Sequence, residues 1–215
     1  MKENLTDINV VLDRSGSMSN VADSTITGYN EFIKGQKAMD GEAYVTLAQF
    51  DNHYDVVYAG KNIQEVPELT SETFQPRGMT ALLDAIGKTI VDTGVRLSNL
   101  SEENRPSKVI FLILTDGGEN ASKEFTNSQV STLIKQQTET YSWEFVFVGA
   151  NQDAISVGTS MGINAANSMT YAANNVGTSA VFASLNANTR AYRSGLMKNA
   201  SFTDQDYDLQ AKAGA

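Results

Sequence analysis

Three short apolar runs constrain the fold of this chain more than any other feature: INVVL at 8–12, VIFLILT at 109–115 and EFVFVGA at 144–150. A strand with one wet face alternates apolar and polar side chains. A run that stays apolar, is rich in β-branched and aromatic residues and closes on Asp or Gly instead fits a strand covered on both faces. Such strands belong to parallel sheets, whose neighbours are joined by long crossovers that are usually helical. The intervening segments supply them. Ile26, Tyr29, Phe32 and Ile33 recur at helical spacing, as do Leu82, Leu83, Ile86 and Ile90, and later Val130, Leu133, Ile134 and Gln137. The alternation predicts an α/β fold, a doubly wound and mainly parallel sheet with helices on both faces.

One pair of runs departs from the alternation. AYVTLAQF and YDVVYAG are separated only by Asp51, Asn52 and His53, which reads as a hairpin and adds one antiparallel edge strand. His53 is expected to be solvated in its turn. Past residue 150 the pattern predicts a helix near NQDAISVGTSMG, a short strand around SMTY and a helix through VGTSAVFASLNANTRAYRS. Trp143 is expected to be partly exposed at the start of its strand. The final segment, SFTDQDYDLQAKAGA, reads as too polar to pack. The chain accordingly divides into a domain over 1–200 and a flexible C-terminal tail over 201–215.

A chain of 215 residues is long enough to bury a core without disulfides or structural metal, and the absence of cysteine excludes disulfide frameworks and thiolate zinc sites. Acidic side chains outnumber basic ones, 25 to 16, for a formal charge of -9. That balance opposes attraction to nucleic-acid phosphates and anionic membrane surfaces. No apolar stretch reaches transmembrane length, and MKENLTDINVVLD lacks the apolar core of a signal peptide. The expectation is a cytoplasmic protein with neither nucleic acid nor membrane as partner, its oligomeric state left open.

In open parallel sheets, ligands sit beyond the carboxyl ends of the strands where the winding reverses. Asp13 stands at such an end in VVLDRSGSM, and Asp116 at another in LILTDGGEN. If the two strands are neighbours, both carboxylates face one crevice, and two like charges brought close call for a cation or a proton. Ser15 and Ser17, on alternate positions of an extended loop, project toward the same point. In PRGMTALLDAIG, Pro76 and Gly78 mark a loop and Thr80 sits where the N-cap of a helix is expected. Another helix is expected to begin at about residue 19, close by. All these side chains are hard oxygen donors, suited to magnesium, calcium or manganese and poorly suited to zinc or copper.

DRSGSM, GMTALLDA and LTDG, in this order and strand context, resemble the three segments of the metal-ion-dependent adhesion site of the von Willebrand factor A domain, and the resemblance spans roughly residues 6–195. It implies a divalent ion, usually Mg2+ with Mn2+ or Ca2+ as substitutes. Asp13, Ser15, Ser17, Thr80 and Asp116 would be its metal residues, the three hydroxyls direct and the carboxylates direct or through water. It also implies a partner protein that supplies an Asp or Glu to the ion, and hence a non-catalytic interaction module. Within that family the chain resembles stand-alone bacterial and phage A-domain proteins, including those near tellurium-resistance systems. Arg14 departs from the Ser or Thr that often follows the aspartate in that family, and is expected to point to solvent.

Each feature has a plainer reading by itself: Ser15 to Ser17 as a turn, Thr80 as a helix cap, Asp116 as a turn residue. Their joint order favours the site. His53 is the sole histidine, so a serine hydrolase would lack its usual base. The alternative is a magnesium-dependent phosphatase of the haloacid-dehalogenase-like type with Asp13 as nucleophile. Ser15 stands where such an enzyme needs its second acid, which leaves the departing oxygen without a proton donor.

Overall fold

The computed structural model describes residues 1–215 as a six-stranded sheet flanked by helices on both faces. In chain order the elements are β1 (Lys2–Asp13), α1 (Ala22–Lys37), β2 (Glu42–Phe50), β3 (Tyr54–Asn62), α2 (Leu82–Ser98), β4 (Pro106–Thr115), α3 (Asn127–Tyr141), β5 (Glu144–Gly149), α4 (Ala154–Ser160), β6 (Ser168–Thr170), α5 (Asn175–Ser194) and α6 (Asp204–Ala213). The spatial order is β3-β2-β1-β4-β5-β6. Every pairing is parallel except β2 with β3, the antiparallel edge expected from the hairpin.

The central strands are apolar throughout because both faces are covered. Val10 and Leu12 of β1, with Leu112 and Leu114 of β4, pack into a layer with Tyr29, Phe32, Phe182 and Leu185 from α1 and α5. Val11, Phe111 and Ile113, one residue out of phase, pack into the opposite layer with Ile86, Ile90, Val130 and Ile134 from α2 and α3. Gly28 sets the approach of α5 to α1: a Cβ there would lie 2.3 Å from the Phe182 ring. No helix is long and apolar enough to cross a membrane.

Three expectations are corrected. Residues 204–213 are not a loose tail but form α6, which opens with a capping box between Thr203 and Asp206. Its polar sequence packs because its buried groups are hydrogen-bonded rather than removed from water unpaired. Buried Gln210 accepts from Ala172 N–H at 3.1 Å and donates to the Gly177 carbonyl at 3.1 Å, while Asn188 donates to Asp206 at 3.2 Å. Trp143, expected to be partly exposed, is buried and stacks on Phe111 with ring centroids 5.5 Å apart. The helix expected at about residue 19 begins at Ala22, after a 3-10 turn over Gly16–Val21. His53 is exposed in the hairpin turn, as expected.

Candidate metal centre

The chain winds outward from β1 in both directions, to β2 on one side and to β4 on the other. The carboxyl ends of β1 and β4 therefore form the switch-point crevice where α/β sheets bind ligands. Asp13 closes β1 and is fully buried. Its Oδ1 accepts the Ser15 N–H at 2.6 Å, and its Oδ2 accepts the Thr115 hydroxyl at 2.6 Å. These bonds fix the carboxylate and turn the loop so that the Ser15 and Ser17 hydroxyls lie 3.1 Å apart. Ser17 in turn donates to Asp116 Oδ1 at 2.5 Å.

Thr80 arrives from a third direction. A Cβ built on Gly117 would lie 3.6 Å from Ser17 Oγ and 3.9 Å from Thr80 Oγ1, so all three segments converge on one spot. Thr80 does not cap its helix as the sequence suggests; Ala81 takes the cap position and uses no side chain. The reason is Asn120, whose side chain accepts the Thr80 N–H at 2.9 Å and whose own N–H donates to the Thr80 carbonyl at 3.0 Å. Glu119 accepts from Leu83 N–H in the first turn of α2 at 2.9 Å, doing the capping expected of Thr80. Buried Asp84 accepts three backbone N–H groups, from Lys123, Glu124 and Phe125. On the far side, Asn151 donates to the Asp116 carbonyl at 2.9 Å from a left-handed backbone conformation, φ 54°.

Thr115, Asn120 and Asn151 thus hold the crevice in place, and the sequence alone points to none of them. Their polar character is ordinary in a loop. Only the hydrogen-bond partners, distant in sequence, give them a role.

The electrostatics are those of two carboxylates short of water. Burial raises the Asp13 carboxyl to about 6, against the hydrogen bonds from Thr115 and Ser15 and with the charge of Asp116. Burial raises Asp116 as well, despite the bond from Ser17. Tyr171 is raised by burial and by the charges of Asp116 and Asp13. At neutral pH the crevice therefore carries negative charge at an electrostatic cost, which a nearby cation offsets.

Arg14 does not point to solvent. It is buried, its Nε donates to Asp51 at 3.0 Å, its Nη2 pairs with Asp55, and its Nη1 lies 3.4 Å from Gln49 Oε1. A buried guanidinium needs a partner for each donor edge, and the hairpin supplies them. Arg77 shares Asp51, with Nε at 2.8 Å.

No group of three or more His, Cys, Asp or Glu side chains is placed so as to hold a metal ion. The crevice instead offers two carboxylates and three hydroxyls, oxygen only. Neighbouring ligands of an octahedral magnesium ion are about 3 Å apart, given metal–oxygen distances of about 2.1 Å. The Ser15–Ser17 separation of 3.1 Å and the Ser17–Asp116 separation of 2.5 Å sit at that scale. The donor set fits a hard divalent cation.

No protein-family model matches the sequence, and no curated protein is significantly similar to it. Solved structures do resemble it. Proximal thread matrix protein 1 from the mussel byssus, with a zinc-occupied MIDAS motif, superposes with a TM-score of 0.56 at 16% identity, covering 88% of this chain and 47% of that one. Manganese-loaded TRAP protein of Plasmodium vivax gives 0.51 at 15% identity, covering 76% and 65%. A von Willebrand factor type A protein from Catenulispora acidiphila gives 0.54 at 14% identity, covering 88% and 43%. The chain thus spans less than two thirds of the length of each of these proteins. The architecture of this chain, six strands with one antiparallel edge and helices on both faces, is that of the von Willebrand factor A fold.

Proposed function

We propose that this protein is a non-catalytic interaction module that binds a divalent cation, magnesium with manganese or calcium as substitutes, through Asp13, Ser15, Ser17, Thr80 and Asp116. A partner protein would supply an Asp or Glu to the remaining coordination position. The observation that carries this reading is the chain of contacts from Ser15 to Ser17 to Asp116, with the Thr80 hydroxyl released from its helix and converging on the same spot. Three neutral hydroxyls leave much of a dication's charge uncompensated, which favours an added carboxylate. Solved structures of the same fold that hold zinc or manganese support the reading at the level of the fold.

Asp13 would reach the ion through water, because Ser15 N–H and the Thr115 hydroxyl already bind its two oxygens and the side chain is buried. Turnover at Asp13 lacks a proton donor for the leaving oxygen, since Ser15 stands where the second acid would be needed.

Affinity capture from a host lysate with the wild-type protein and with Ser17→Ala, each with and without EDTA, tests the proposal. Proteins retained by wild type in magnesium and lost both with EDTA and with Ser17→Ala support it. Identical captured sets in all lanes contradict it. Magnesium-dependent phosphatase turnover that disappears in Asp13→Asn would restore the enzymatic alternative.

A further inference from the structure

Beside the crevice lies a second cleft of about 400 Å³, lined by no hydrophobic residue but by Asn52, His53, Asp55, Arg77 and Gly78. The two share a wall. Arg77 N–H donates to the Arg14 carbonyl at 2.8 Å, and the Gly78 carbonyl accepts from Gly16 N–H at 3.2 Å, so residues 77–78 are laced to the loop that carries Ser15. Arg77 also lies three residues from Thr80, an α-carbon separation of at most about 11 Å.

Arg77 is anchored at one end and open at the other. Its Nε is tied to buried Asp51 at 2.8 Å, while its side chain is 57% exposed and its Nη2 stands 3.9 Å from Asp55, too far for a hydrogen bond. The outer edge of the guanidinium keeps its donors. His53 is oriented by the same carboxylate: its N–H donates to Asp51 Oδ1 at 2.7 Å and its Nδ1 lies 3.1 Å from that oxygen, leaving Nε2 free on an exposed ring. Asp51 and Asp55 balance Arg14 and Arg77 in charge, so the cleft is close to neutral within a chain of net charge -9. An incoming anion meets a planar fork of fixed donors there, the geometry suited to a carboxylate.

We propose that the partner segment is acidic at two positions: one carboxylate reaches the cation, and a second, two or three residues along, docks on the outer edge of Arg77 with His53 beside it. This rests on the proposed cation site for its first contact. In an extended peptide, side chains two residues apart share a face at about 7 Å, and three residues span about 10 Å, the scale of the at most about 11 Å between the α-carbons of Arg77 and Thr80. Arg77 and His53 are then specificity determinants, selecting a diacidic segment over an isolated acid.

The test uses the full chain with magnesium and blocked peptides as probes: Gly-Gly-Asp-Gly-Gly-Gly-Gly with one acid, and the same peptide with a second Asp two or three residues after the first. Affinities are read by NMR titration. Two equivalent acids give about a twofold advantage from multiplicity alone. We expect at least one diacid to bind about fivefold to tenfold tighter than the monoacid, with Arg77→Gln/His53→Gln returning the ratio to about two. Arg77→Lys, which keeps the charge but not the fork, should retain an intermediate ratio. A monoacid that binds in a magnesium-dependent way while neither diacid exceeds twofold overturns this inference alone, as does an advantage that survives the double substitution. No magnesium-dependent binding of any peptide overturns it together with the proposed cation site.

Discussion

The Ser17 hydroxyl donates to Asp116 Oδ1 at 2.5 Å across 99 residues of sequence. That bond joins the loop after β1 to the loop after β4 at the one place in the sheet where the chain reverses its winding. One partner is exposed and the other buried, so the pair sits at the rim of the crevice.

Ser17→Ala should therefore separate metal binding from folding. Because Ser17 is exposed, the loss of its hydrogen bond should cost no more than about 1.5 kcal/mol of stability. Magnesium affinity should fall at least tenfold. Thermal unfolding and calorimetric titration on the same preparation check both parts.

Arg14 should behave in the opposite way, as a structural ion pair beside the site. Arg14→Ala leaves fully buried Asp51 with only Arg77 and His53 and is expected to destabilise the fold by about 3 kcal/mol in chemical denaturation. Arg14→Lys should recover little, because one ammonium cannot reach Asp51, Asp55 and Gln49 in the plane of a guanidinium.

Asp84 gives the fold a dependence on pH. Burial alone would raise its carboxyl, but backbone N–H groups of Lys123, Phe125 and Glu124 outweigh that and hold it below the ordinary value of 3.8. A carboxyl lowered on folding stabilises at every pH above its unfolded value, and the contribution is lost as pH falls through the folded one. Acid unfolding of the wild type should thus be steepest below about pH 4. Asp84→Asn should lower stability at neutral pH and flatten that acid limb, measured by denaturation across a pH series.

Helix α6 should be integral to the domain. Gln210→Ala leaves the buried Ala172 N–H without a partner, removes the bond to the Gly177 carbonyl and is expected to cost about 1–3 kcal/mol, a clear drop in melting temperature. A variant that melts with the wild type would show that the C-terminal segment contributes nothing.

The parallel sheet and the antiparallel edge are legible because runs such as VIFLILT are apolar on both faces and the hairpin has only three residues to turn in. The five crevice residues are legible because alternation, strand ends and order along the chain all point to one rim. What is not legible depends on partners far away. Arg14 looks like a surface residue until Asp51 and Asp55 arrive from the hairpin. Thr80 looks like a cap until Asn120 binds its backbone and Glu119 takes over the helix. The C-terminal segment looks unpackable because hydrophobicity is a poor guide where polar groups are buried in pairs, as at Asp206 and Gln210.

Manganese titration followed by electron paramagnetic resonance shows whether three distant segments build one hard-cation site. A single manganese should bind per chain, displaced by magnesium and lost in Ser15→Ala and in Asp116→Asn while both variants remain folded. A wild-type protein that binds no manganese, or variants that bind it as the wild type does, would contradict the proposed site.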